Sequence, residues 1–93
     1  MPASFEWDPQ KAKTNLQKHQ VDFEEAGTVF GDPRFITFLD DEHSQAEERY
    51  VTIGLSKQNR LLLVAHFERK DKIRLISARK ATKNEEKFYQ EAG

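Results

Sequence analysis

The sequence predicts an α+β domain: a single antiparallel β-sheet meander, preceded by two helices and closed by a third. Three observations carry this reading. Two helix-start signals stand in the first quarter of the chain, at Asp8-Pro9 and at Asp22 with Glu25. From residue 34 to residue 77, β-rich runs alternate with short polar turns. Thr82 and Glu85 then form a capping box directly behind the last of these runs.

Taken in order, residues 5–7 read as a short strand or an extended start. Asp8 is an N-cap and Pro9 takes the first helical position, where its missing N–H costs nothing. A helix over 9–19 follows, with Ala12 and Leu16 on one face and Lys11, Lys13 and Lys18 on the other. Asp22 opens a second, short helix to about residue 29, with Phe23, Ala26 and Phe30 as its apolar side. Gly31-Asp32-Pro33 ends it and turns the chain. Strands are expected over 34–40, 48–56, 61–69 and 73–77. The loops between them are the polar stretch 40–46, the hairpin loop Lys57-Gln58-Asn59-Arg60 and the tight turn at residues 69–72. A helix over 82–91 closes the chain, giving the order β-α-α-β-β-β-β-α, with the helices expected on one side of the sheet.

Period-two alternation divides the strand residues into two faces. Val51, Ile53 and Leu55 share a face, matched to Leu61, Leu63, Ala65 and Phe67 and then to Ile73 and Leu75. That set is expected beneath the helices. The opposite set, Leu62, Val64, His66 and Glu68 with Arg74 and Ile76, is expected to be half open, as a groove for an extended ligand requires. One slip of register would exchange the two faces.

Ninety-three residues fit one domain over 1–93, large enough to bury roughly 60–68% of the unfolded surface. The chain has no Cys, which removes disulfides and thiolate metal sites. No apolar run approaches the roughly 18–20 residues of a membrane span, and no signal peptide is recognisable, so a cytoplasmic protein is expected. The net charge of −1 conceals a segregation. Residues 22–48 hold nine acids and one base, whereas residues 57–87 hold ten bases and four acids. Two lobes of opposite sign suit two partners, a polyanion on the basic part and a basic protein on the acidic part, or else the acidic part is simply a solvated face.

The basic part has a focus. Arg74, Arg79 and Lys80 gather where a strand passes into the capped helix, a place suited to a phosphate. His66 carries the side chain whose ordinary pKa lies nearest neutrality, although a lone His on a strand is more often structural than catalytic, and Glu68 follows two residues later on the same face. Trp7 and Tyr89 are candidates to stack on bases, although a Trp in so small a domain more often fills the core. Glu68 and Arg74 also fit an ordinary cross-strand ion pair. Three scattered His give no metal-ligand spacing, and no metal or other cofactor is expected.

The ordered set Trp7, Asp8, Asn15, Lys18, His19, Val21, Phe23, Glu24, Glu25, Ala26, Phe30, Asp32 and Pro33 resembles the opening of the BrnT-type toxins of bacterial toxin–antitoxin pairs. Glu48-Arg49, Gly54, then Ile73, Arg74, Ile76 to Ala81, Glu86 and Tyr89 continue that resemblance to the end of the chain. It implies a RelE-like fold and a small ribonuclease that blocks translation. It also implies an antitoxin of the BrnA type, in a hetero-oligomer built on antitoxin dimers, with operator DNA reached only through that antitoxin.

Metal-free RNA cleavage needs a base for the 2′-hydroxyl, an acid for the leaving 5′-oxygen and fixed cations for the phosphorane. The catalytic candidates are His66, Glu68, Arg74, Arg79 and Lys80, with either His66 or Glu68 as the base. Trp7, Lys18, Arg49 and Tyr89 are the candidate RNA contacts. The acidic stretch 40–48 is the expected antitoxin contact. A non-catalytic module that binds nucleic acid or antitoxin and serves operator autoregulation is the alternative.

Overall fold

The computed structural model describes residues 4–92. The elements are β1 (Ser4–Glu6), α1 (Pro9–His19), α2 (Phe23–Thr28), β2 (Ile36–Leu39), β3 (Arg49–Leu55), β4 (Leu61–Arg69), β5 (Lys72–Lys80) and α3 (Lys83–Ala92). Single 3-10 turns at Val29–Gly31 and Asp41–His43 complete the order. Each cap expected from sequence is formed. Asp8 accepts from the Gln10 amide at 2.9 Å with Pro9 behind it, and α1 ends where Gln20 turns to φ 58°. Asp22 accepts from the Glu25 amide at 2.7 Å. Thr82 and Glu85 cap reciprocally, Thr82 N–H to Glu85 Oε1 at 2.9 Å and Glu85 N–H to Thr82 Oγ1 at 3.2 Å.

The five strands lie in the order β1-β5-β4-β3-β2. From β2 to β5 they form the expected antiparallel meander. β1 adds to it in parallel, Ser4 opposite Lys72 and Glu6 opposite Arg74. Beyond Arg74 the outer edge of β5 loses its strand neighbour, and a side chain takes over. The buried Asn15 of α1 accepts from the Ala78 amide at 3.0 Å and donates to the Ala78 carbonyl at 2.8 Å and to the Val21 carbonyl at 2.9 Å. This fixes α1 along the sheet edge and satisfies backbone groups that would otherwise be buried unpaired.

Ile73 and Leu75 lie beneath helices and Arg74 on the more open face, as expected, but the β4 residues matched to them are reversed. Val21, Phe23, Ala26 and Val29, from α2 and its flanks, bury Leu62, Val64, Leu75 and Ala78, so the Leu62–His66 set lies under the first two helices. The cause is the turn at Lys70 and Asp71. Two residues close it, with Lys70 at φ 51°, and Arg69 therefore pairs with Lys72, Phe67 with Arg74 and His66 with Leu75. A two-residue hairpin joins odd to even positions, which puts Ile73 and Leu75 on the His66 face and Arg74 on the other. A bulge between Ala65 and His66 then shifts the register, so that Val64 meets Ala78 and Leu63 meets Arg79.

The helices do not share one side. Phe88 of α3 meets Phe38 of β2 edge-on, ring centroids 6.2 Å apart. In register, Phe38 lies beside Val51 and Ala65, on the face away from α1 and α2. Val51, Ile53 and Ala65 are buried there. The sheet is thus covered on both faces, by α1, α2 and the Val29–Gly31 turn on one and by α3 on part of the other.

Candidate functional site

The part of the second face left open by α3 is a field of cations. Register places Arg49, Phe67 and Arg74 in one rung, Arg69 and Lys72 in a second, and Leu63 with Arg79 in a third. Alternation sends all of these side chains to the same side as Ala65. Each cation leans on a carboxylate, but not equally. Arg69 holds Glu47 through two hydrogen bonds of 2.9 Å, and Arg79 holds Glu85 at 2.8 and 2.9 Å. These fork-to-fork pairs hold both guanidiniums more firmly protonated than usual. They also depress Glu47 and Glu85 below the ordinary carboxylate range.

Three cations are held more loosely. Arg74 stands 3.6 Å from Glu6 and Lys72 3.9 Å from the same carboxylate, both beyond hydrogen-bond distance. Arg49 lies 3.7 Å from Asp40, and its buried Nε makes no hydrogen bond. Their donors are the ones a phosphate can claim without first displacing a bidentate partner. Phe67, between Arg49 and Arg74, gives the field an apolar floor, with the Arg69 guanidinium 5.9 Å from its ring centroid. Phe67, Arg69, Lys72 and Glu6 were not among the sequence candidates. The signal that finds them is the odd-to-even pairing set by the short Lys70-Asp71 turn.

His66 and Glu68 lie across the sheet from these cations. His66 is 0% exposed, edge-on to Phe30 at 5.1 Å and stacked on Tyr50 at 6.0 Å. Burial lowers its pKa from the usual 6.5 to about 4, so the ring is neutral at physiological pH. Nε2 shares a 2.8 Å hydrogen bond with Thr52 Oγ1, which shares one of 2.7 Å with Thr37 Oγ1. Nδ1 has no hydrogen-bond partner, and Glu68 approaches it only to 3.9 Å. His66 and Glu68 are therefore neighbours as expected. The groove expected around them is closed at His66, which packs against Phe30, whereas Glu68 stays exposed, and the sheet separates both from Arg74 and Arg79.

The other candidates are dispersed. Lys80 pairs with Leu62 on the His66 face and is exposed. Trp7 packs edge-on against Phe23 at 5.9 Å, the core role that was its alternative. It also lines an aromatic cleft of about 1000 Å³ with Phe5, Phe30 and Phe35. Lys18 lines a smaller polar cleft of about 270 Å³ between α1 and β5, with Lys11, His19 and Ser77. The Tyr89 hydroxyl donates to Asp32 at 2.5 Å, and Arg34 lies 5.6 Å from the centroid of its ring, so it is engaged within the fold. Among the described residues, no group of three or more His, Cys, Asp or Glu is placed to hold a metal ion.

Comparison with known proteins accounts for most of the chain. Residues 7–85 match the family model described as a ribonuclease toxin, BrnT, of a type II toxin–antitoxin system. Among solved structures, the fold is similar to the 1.1 Å crystal structure of the ribonuclease toxin BrnT from Brucella abortus. The TM-score is 0.67 at 23% identity, over 87% of this chain and 99% of that one. No curated protein matches the sequence. The α+β architecture is thus shared with a solved toxin, and the chain belongs to the BrnT ribonuclease toxins of type II toxin–antitoxin systems.

Proposed function

We propose that this toxin is a metal-independent endoribonuclease that stops translation by cleaving RNA in the cytoplasm, and that a BrnA-type antitoxin neutralises it. Operator DNA is reached only through that antitoxin. The observation that carries the catalytic part is the loose hold on Arg74, Lys72 and Arg49 around Phe67. A base stacks on Phe67 while Arg74 and Arg49 take the phosphate oxygens, with Arg79 at the border set by α3. The 2′-oxygen attacks phosphorus, and the bond to the 5′-oxygen breaks. Glu6, between Arg74 and Lys72, accepts the 2′-proton, and Lys72 protonates the leaving oxygen. The burial of His66 moves proton transfer away from His66 and Glu68 in this reading.

The test is cleavage of single-stranded RNA by purified protein in excess EDTA, with mapping of new 5′ ends. Arg74→Ala is expected to lower the rate by about 100–1000-fold, the usual loss for one preorganised charge-stabilising donor. An Arg74→Ala protein that cleaves at the parent rate overturns the site. Among the described residues, no strand position on the cationic face carries a His, which favours one other reading, a module that binds RNA without chemistry. Tight binding with no new ends at any protein concentration would select it.

A further inference from the structure

We infer that the outer edge of β2 is the docking strip for the antitoxin, and that it accepts an extended antitoxin segment as a sixth strand. The segment alternates apolar residues with Lys or Arg. The inference rests on the family reading, which supplies a cognate antitoxin, and goes beyond it by naming the surface and the chemistry of the segment.

Three observations converge there. β2 pairs only with β3, and no strand lies on its outer side among the described residues. Its Ile-Thr-Phe-Leu sequence has no charge, Pro or bulge, the usual protections of an exposed edge. Six large hydrophobic side chains are exposed among the described residues, and five lie on or beside this strand: Phe35, Phe38, Leu39, Leu55 and Phe88, each 39–49% exposed. Phe38 and Phe88 lie on the α3 side and Leu39 on the other, so a paired strand meets apolar surface on both of its faces.

Charge selects the partner. Residues 32–48 hold six acids against the single base Arg34; Glu47 and Asp40 face Arg69 and Arg49, which leaves the exposed Asp41 and Glu42, one residue past the end of β2, to set the local charge. A second copy of this chain would bring two such acidic stretches together. A basic segment meets complementary charge instead, which raises the association rate and rejects self-pairing. The strip also adjoins α3, whose Glu85 holds Arg79 at the border of the cationic face.

The experiment uses the toxin and the antitoxin expressed together from their operon. Amide hydrogen exchange of the toxin, alone and in the complex, should show slowed exchange across residues 36–39. Phe38→Ser with Phe88→Ser should weaken antitoxin binding by at least about 100-fold, as loss of paired interface anchors does. A cooperative melt shows that this variant is folded, and Leu39→Ser, on the face away from α3, should also weaken antitoxin binding with RNA cleavage unchanged. Asp41→Asn with Glu42→Gln should slow association and flatten its salt dependence. Unchanged exchange at 36–39, unchanged affinity of the double Ser variant, or a toxin homodimer paired through this edge would each overturn the inference. Antitoxin protection of β2 on a protein that cleaves no RNA would instead sink the ribonuclease mechanism and leave this surface standing.

Discussion

Removing the carboxylate of Glu25 should destabilise the fold by about 3 kcal/mol. Glu25 is buried, and it receives three hydrogen bonds. Ser56 Oγ donates at 2.7 Å, Arg60 Nε at 2.9 Å, and Arg60 Nη2 closes a still shorter contact. Arg60 also donates to the Gln20 carbonyl at 3.0 Å, so one side chain ties the β3–β4 hairpin to the end of α1 and to α2. Breaking a buried ion pair from one side costs about 3–5 kcal/mol. The Arg60 side chain is 28% exposed, so water recovers part of that loss, whereas the buried Ser56 cannot be rescued in this way. Glu25→Gln keeps the volume and should therefore lower the melting temperature by about 12–24 °C at neutral pH. The Arg60 hydrogen bond first, and then Ser56, hold the Glu25 carboxyl below its ordinary 4.5. A group depressed on folding contributes stability that is complete above its unfolded pKa and fades as pH falls through its folded pKa. The gap between parent and Glu25→Gln should persist down to about pH 4.5 and shrink below it. Calorimetric melts across pH 3–8 test both parts. A gap under about 4 °C at pH 7, or one that widens with acid, would refute the reasoning.

Two further substitutions probe the sheet and its last helix. A Cβ on Gly54 would stand 2.6 Å from Val29 Cγ1 and 3.2 Å from the Val29 carbonyl oxygen, so Gly54→Ala must push the Val29–Gly31 turn off the sheet. A loss of about 1–3 kcal/mol is expected in urea titrations, and a neutral Ala would mean that the turn yields freely. Thr82→Ala removes the acceptor of the Glu85 amide and should cost about 1 kcal/mol with RNA cleavage retained. Arg79→Ala should lower both cleavage and stability, because Glu85 Oε1 receives Arg79 and the Thr82 amide together. Loss of activity without any loss of melting temperature in Arg79→Ala would show the two roles to be separate.

Local chemistry was legible, and long-range pairing was not. Asp8-Pro9, Asp22 and Thr82 announce their helices because a cap is satisfied within three residues. The meander was legible because polar turns punctuate β-rich runs. Which face each run shows depends on whether a turn has an even or an odd number of residues, and the stretch 69–72 permits either from sequence alone. That one ambiguity carried Arg74 to the opposite side of the sheet from His66. Glu25 illustrates a second limit. At its position it reads as the return half of a capping box, yet its carboxylate goes to Arg60, thirty-five residues away. The parallel pairing of Ser4–Glu6 with β5 was equally invisible, since a three-residue strand carries no mark of its partner.

That pairing has a kinetic side. Of the five described strands β1 is made first, and it pairs only with β5, which is complete at Lys80. As the ribosome releases the chain, the strand begun at Ser4 has no neighbour until nearly all of the sequence has emerged. Arg69, Lys72, Arg74 and Arg79 arrive in the same late stretch, and Glu6 meets Arg74 only when β1 and β5 join. Closing so long a loop makes this the slow step of sheet assembly. The cationic face therefore matures last, and a growing chain carries none of it intact until its final strand is in place.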